Sequence, residues 1–266
     1  MRACLDAKMV VKNILTVEKA HEEFAPSSWQ QVLLAEFETA LLSKTRPFPC
    51  LFGVSGLKSG QIRFTFPDPL TPESLAPILA TYLGQARSFG AMTSLVAFAR
   101  PGPVRDMEHY RSRLWSLLDG LERLDTVPRP ADIPREIDSP AWEFCYAGEP
   151  IFVVCNTPAH VLRQSRRSTA FMVTFQPRWV FDGIVGNPNP AVQRSLKKVR
   201  ERLHAFDAIP EFPYLGEYGD PENREYQQYF IDDTNQTQGC PFHRLGQKRP
   251  AANQSSKPDK TTREVA

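Results

Sequence analysis

Proline limits this chain more than any other residue: it occupies 24 of the 266 positions, about twice the ordinary usage of roughly 5%. Each proline pins φ and removes a backbone donor, so the chain is expected to be rich in fixed turns and extended loops and poor in long uninterrupted helices. Between the prolines, apolar spacing still predicts elements. Leu33, Phe37, Ala40 and Leu41 share one face of a helix expected over Ser27–Lys44, with Ser27/Gln30 or Ser28/Gln31 at capping-box spacing. A second helix opens at Pro72 and carries Leu75, Ile78, Leu79, Tyr82 and Leu83, with Pro77 expected to kink it or delay its start. Val104–Leu124 is strongly amphipathic, Ala191–Phe206 is a basic helix, and Pro221–Phe230 a shorter one. Strands are expected over Gln61–Phe66, Thr93–Ala99, Trp142–Tyr146, Ile151–Cys155 and Phe171–Phe175.

These elements alternate irregularly, and neither G-x-G-x-x-G nor G-x-x-x-x-G-K-[ST] occurs, so a nucleotide-binding doubly wound sheet is not supported. The expectation is an α+β (mixed α/β) single domain with a central mixed sheet flanked by helices. Residues 1–26 are read as an N-terminal extension, 27–243 as the folded domain and 244–266 as a disordered, apolar-poor tail. The proline-rich stretch Val127–Pro140 is read as a surface crossing.

Apolar residues make up 41% and charged residues 23%, enough for a sizeable core. The formal charge of +2 argues against a nucleic-acid partner held by phosphate neutralisation. Asp6, Lys8, Lys12, Glu18 and Lys19 interrupt any leader-like apolar run, and no stretch reaches the roughly 20 apolar residues of a membrane span. Five scattered cysteines without a C-x-x-C pair indicate neither a disulfide framework nor a zinc ribbon. A reducing cytoplasmic location is the expectation.

Three clusters carry possible chemistry. In Phe48-Pro49-Cys50-Leu51-Phe52-Gly53, prolines fix the backbone entering a cysteine that can ligate a soft metal or haem iron, act as a nucleophile, or simply fill space. In Cys155–Arg167, following an apolar strand, His160 is a candidate ligand or proton carrier. Arg163, Arg166 and Arg167 are candidate carboxylate clamps, and each of these also has a plain structural reading. Near the C-terminus, Cys240 and His243 form at most a two-ligand clip, and a strap packing Phe242 is the simpler reading. Neither G-x-S-x-G nor H-E-x-x-H is present.

Taken together, these clusters resemble the YqcI/YcgG family. The resemblance rests on Phe48–Gly53, Asn156-x-Pro158-x-His160-x-x-Arg163-x-Ser165-Arg166, Phe175-x-Pro177-Arg178-x-x-Phe181, and Asn235-Gln236 followed by Cys240-Pro241-Phe242. It implies a haem-dependent N-oxygenase holding haem b and its iron, using O2 and an external electron donor or redox partner to hydroxylate a small amine or guanidine substrate. For the axial ligand, His160 ranks first, Cys50 second, and Cys240 with His243 third. Arg163, Arg166 and Arg167 would meet the propionates, and Phe52 and Asn156 belong to the same motifs. The chain departs from the guanidine-hydroxylating branch, whose equivalent loop carries its histidine before the proline. Asp138, Glu143, Asp232 and Asp233 are candidate anchors for a cationic substrate. A haem-binding sensor or carrier without turnover, and a cofactor-free cysteine-dependent enzyme or binding module, remain as other classes.

Overall fold

The computed structural model describes residues 13–184, 187–216 and 220–237. Five strands form one mixed sheet: β1 (Arg63–Thr65), β2 (Leu95–Phe98), β3 (Phe144–Tyr146), β4 (Glu149–Asn156) and β5 (Met172–Pro177), in the order β1-β2-β5-β4-β3. Only β1 and β2 run parallel; the remaining pairs are antiparallel. Seven α-helices surround the sheet among the described residues: α1 (Val17–Glu23), α2 (Trp29–Leu42), α3 (Leu51–Lys58), α4 (Pro72–Phe89), α5 (Met107–Leu124), α6 (Pro190–Phe206) and α7 (Tyr226–Tyr229). This is the expected α+β fold with helices on both faces.

Strand alternation decides which core each side chain enters. Leu95, Ala97, Val173, Phe175, Ile151, Val153 and Cys155 face α4 and α5, while Phe64, Val96, Phe98 and Met172 face α1, α2 and α3. Helix starts follow local chemistry. Ser28 caps α2 through the Gln31 amide, and Thr71 and Ser74 form a reciprocal capping box ahead of Pro72. Pro77 lies inside α4 without ending it. It sits in the second turn and forgoes a single bond, to the Glu73 carbonyl. At Gly120 an added Cβ would meet Pro72 Cγ at 2.3 Å, so glycine is what allows α5 to approach α4 this closely. Within the stretch read as an N-terminal extension, Leu15 pairs with Phe64 across the backbone and Ala20 is fully buried, so its described part from Leu15 onward packs on the domain.

On the α1–α3 face, ladder partners place Phe152 and Val154 beside Gln176 and Thr174. That half of the face is not filled by α2 or α3. It is covered by α6, of which only Phe206 is buried, and the gap between α6 and the sheet is where the candidate site lies.

Candidate functional site

A cavity of about 540 Å³ opens between the start of α3, β4, the 3-10 turn Arg178–Phe181, α6 and α7. This lies within the range of roughly 300–1,000 Å³ typical of small-molecule and cofactor sites. Phe52, Phe152 and Phe181 supply aromatic wall, with Phe152 edge-on to Phe181 at 5.6 Å, and Leu196 and Leu203 of α6 supply aliphatic wall. Its polar groups are few: Cys50, Arg178, Glu225 and Gln228 on the sheet side, and Gln193, Lys197 and Arg200 on α6.

The expected loop around Cys50 ends in a helix. Cys50 is the N-cap of α3, and the Gly53 amide donates to its Sγ at 3.2 Å. Cys50 is exposed, whereas Cys145 and Cys155 are buried. Although solvent reaches it, the protein mass around Cys50 raises its pKa, against the pull of the Gly53 and Phe52 amides and the charge of Arg166. The segment before it is tied to α6: Phe48 packs edge-on to Phe206 at 5.5 Å, and Arg202 Nη1 donates to the Phe48 carbonyl at 3.2 Å.

His160 occupies a different environment. It is fully buried and does not line the cavity. Its Nε2 lies 2.9 Å from the Ile231 carbonyl, which can only accept, so the proton sits on Nε2 and Nδ1 accepts from the Thr157 hydroxyl at 2.9 Å. Burial lowers its pKa, outweighing the Ile231 bond and Asp233. The ring is therefore neutral with both nitrogens spent, and iron could bind it only if one of those bonds broke.

The three arginines also separate. Arg163 is buried and donates from Nε to the Asp232 carbonyl at 2.9 Å and from Nη2 to Asn235 Oδ1, with Asp207 at 3.7 Å. Arg167 donates to the His160 carbonyl at 2.7 Å, and Asn156 donates to the Ser165 carbonyl at 3.3 Å. These groups brace the loop and do not reach the cavity. Arg166 does not line the cavity either but is less fully paired: Nη2 donates to the Gln228 carbonyl at 3.3 Å, and Nη1 has no hydrogen-bond partner among the described residues. Desolvation first, and then Arg163, bring its pKa down to about 10, so it stays charged at neutral pH.

Of the four candidate anchors, none lines the cavity. Asp232 pairs with Arg111 at 2.8 Å, and Asp233 accepts the amides of Val161, Leu162 and Arg163 at 2.8–2.9 Å. Glu143 is fully buried and holds Arg178 Nε at 2.8 Å. Arg178 also pairs with Glu225, a cavity-lining residue that sequence reading missed, whose buried carboxylate lies 2.8 Å from the Tyr229 hydroxyl. The available signal was Phe175-x-Pro177-Arg178-x-x-Phe181, two of whose residues, Arg178 and Phe181, line the cavity. Cys240 and His243 lie outside the described residues.

No group of three or more His, Cys, Asp or Glu among the described residues could hold a metal ion. A single axial ligand to a prosthetic group is another matter. An accessible sulfur at the edge of an aromatic-walled cavity, with Lys197 and Arg200 also lining it, fits a haem b carrying two carboxylates. No described helix is long and apolar enough to cross a membrane.

Residues 37–243 match the profile of the YqcI/YcgG family. The chain is 41% identical over 227 residues to protein YqcI of Bacillus subtilis (strain 168), covering 82% of this chain and 89% of the relative. It is 39% identical over 239 residues to protein YcgG of the same organism, covering 86% and 93%. A more distant relative, 28% identical over 219 residues and covering 77% and 82%, is the Streptomyces lavendulae protein named "Putative N(omega)-hydroxy-L-arginine synthase DcsA". No solved structure matches the chain.

Proposed function

Because this chain belongs to the YqcI/YcgG family, we propose that its cavity holds haem b on Cys50 and serves an N-oxygenase acting on an amine or guanidine nitrogen of an amino-acid-like substrate. The observation carrying this reading is the exposed Cys50 sulfur at the helix-capped edge of a 540 Å³ aromatic-walled cavity. The name of the Streptomyces relative supports the reaction class. When bound, the haem supplies O2 activation: R–NH2, O2, two electrons and two protons become R–NHOH and water.

The chain's own residues have separate tasks. Cys50 provides the sulfur; desolvation raises its pKa on balance, and the Gly53 and Phe52 amides and Arg166 offset part of that cost to the thiolate. Phe52, Phe152 and Phe181 exclude water from the flat faces of a ligand, and Lys197 and Arg200 offer charge to its carboxylates. Glu225 and Glu143 set two carboxylates against the single guanidinium of Arg178, and that acidic surplus beside the wall is what would attract a cationic substrate. His160, Arg163 and Arg167 hold the neighbouring loop. A cofactor-free nucleophile is the weaker reading, since reactive cysteines have depressed pKa values and that of Cys50 is raised.

Absorption spectra of protein expressed with haem precursor test this, in ferric, ferrous and ferrous-CO forms. A Soret band with a strongly red-shifted CO complex is expected, lost in Cys50→Ala and retained in His160→Ala. Loss in His160→Ala alone would return the ligand to the histidine, and no Soret band in any form would end the haem reading. Haem without consumption of any amine or guanidine offered with O2 and a reductant would leave a sensor or carrier.

A further inference from the structure

Resting on that reading, we propose that the outer face of α6 is the docking surface for a small acidic one-electron carrier protein. The reaction consumes two electrons, and the chain contains no flavin or nicotinamide fingerprint to supply them. Two reduced carriers must each deliver one electron and leave oxidised, while two protons, O2 and R–NH2 give R–NHOH and water.

Charge on the molecule is concentrated where such a donor would need to approach. α6 carries Arg194, Lys197, Lys198, Arg200 and Arg202 against a single acid, Glu201. The whole chain totals only +2, so the rest of the molecule is acidic on balance. On the outer face, Arg194 and Lys198 are exposed and do not line the cavity, whereas Lys197 and Arg200 do line it. Neither Arg194 nor Lys198 forms an ion pair among the described residues, and the one acid of the helix, Glu201, lies 3.9 Å from Lys197. A partner's carboxylates therefore displace no internal ion pair at either residue, and an exposed pair such as Lys197 with Glu201 is worth only about 0–1 kcal/mol.

The opposite face of the same helix is cavity wall. Leu196 and Leu203 line the space that Cys50 borders. An α-helix with its side chains is roughly 10–12 Å across, so a carrier seated on Arg194 and Lys198 stands about one helix diameter from the cavity. Cationic steering toward an acidic carrier raises the encounter rate and fixes its orientation.

Binding is measured by calorimetry with an oxidised acidic [2Fe–2S] ferredoxin as the probe and the full chain as the receptor. It is repeated with Arg194→Glu/Lys198→Glu and with a control, Lys19→Glu/Arg123→Glu, both of whose positions are exposed and lie on other helices, α1 and α5. Neither α6 position lines the cavity. The expected result is saturable binding at low salt, weakened at least ~10-fold by the α6 pair, unchanged in the control, and abolished near ~0.5 M salt. Reduced ferredoxin should also be oxidised more slowly by the haem-loaded α6 variant, while dithionite reduces both forms equally. No saturable binding, or equal affinity in all three proteins, overturns the proposal. So does retention on phosphatidylglycerol vesicles without ferredoxin binding, which would make α6 a lipid-facing helix. Haem spectra read independently: a haem-loaded protein that ignores ferredoxin fails the docking proposal alone, and α6-dependent binding by a chain that takes up no haem fails the haem reading alone.

Discussion

Cys50 and Arg166 form the residue-scale unit on which the site's chemistry turns. Cys50 is accessible, Arg166 has a guanidinium nitrogen without a partner among the described residues, and each shifts the other's titration. The Arg166 cation favours the thiolate, so removing it should push the Cys50 pKa further above the ordinary thiol value. Alkylation by iodoacetamide, followed against pH in haem-free protein with Cys4 and Cys240 replaced by serine, reads this directly. Cys145 and Cys155 are buried and should react slowly. Arg166→Gln should move the Cys50 profile to higher pH and Arg166→Lys should leave it near wild type. An unmoved profile in Arg166→Gln would remove Arg166 from the account of the sulfur. Of this unit, the cysteine was legible because prolines isolate it in sequence. The singling out of Arg166 was not, because it depends on which neighbours Arg163 and Arg167 find across the fold.

The elements were legible where a full apolar face repeats, as in α2, α4, α5 and α6, and where strands are bounded by turn residues. α3 was not. Its eight residues include Gly53 and Gly56, each costing about 1 kcal/mol in a helix, and what sustains it is the Cys50 cap and the buried Leu57, neither visible as periodicity. The segment after His160 is a second case: it read as ligand chemistry, but its polar groups tie one element to another. Asp233 gathers three amides of Val161–Arg163, and Arg163 reaches back to Asp232 and Asn235. Asp233→Ala should therefore cost about 2–3 kcal/mol, well above the ±0.5 kcal/mol of an ordinary surface change. Asp233→Asn, which keeps one carbonyl oxygen, should fall between. Urea unfolding of the three proteins decides it. A midpoint for Asp233→Ala equal to wild type would mean that water replaces the carboxylate freely.

At the scale of the whole molecule, the buried tie between the 157–167 loop and the 231–235 strap should set how stability responds to pH. Desolvation holds the folded-state pKa of His160 below its ordinary 6.5, despite the Ile231 bond and Asp233, with Arg166 adding to the depression. The unfolded chain then takes up a proton that the native chain refuses. Stability should accordingly fall as pH drops from about 6.5 toward the lowered native pKa, with a slope of at most ~1.4 kcal/mol per pH unit from this one group. Asp233 titrates elsewhere: burial raises its pKa, but the amides of Leu162, Val161 and Arg163 outweigh this and hold it below 3.8. Its contribution is complete above that value and is lost only as pH falls below it. The two losses are thus separated, the first belonging to His160 and the second to Asp233. Urea midpoints taken at about pH 7.5 and about pH 5.5 isolate the first. Wild type should lose stability between them, and His160→Asn, less stable at the higher pH, should lose less on acidification. Equal losses in the two proteins would mean that His160 is protonated as easily in the folded chain as in the unfolded one. Both of its ring nitrogens would then not be committed as Thr157 and Ile231 hold them.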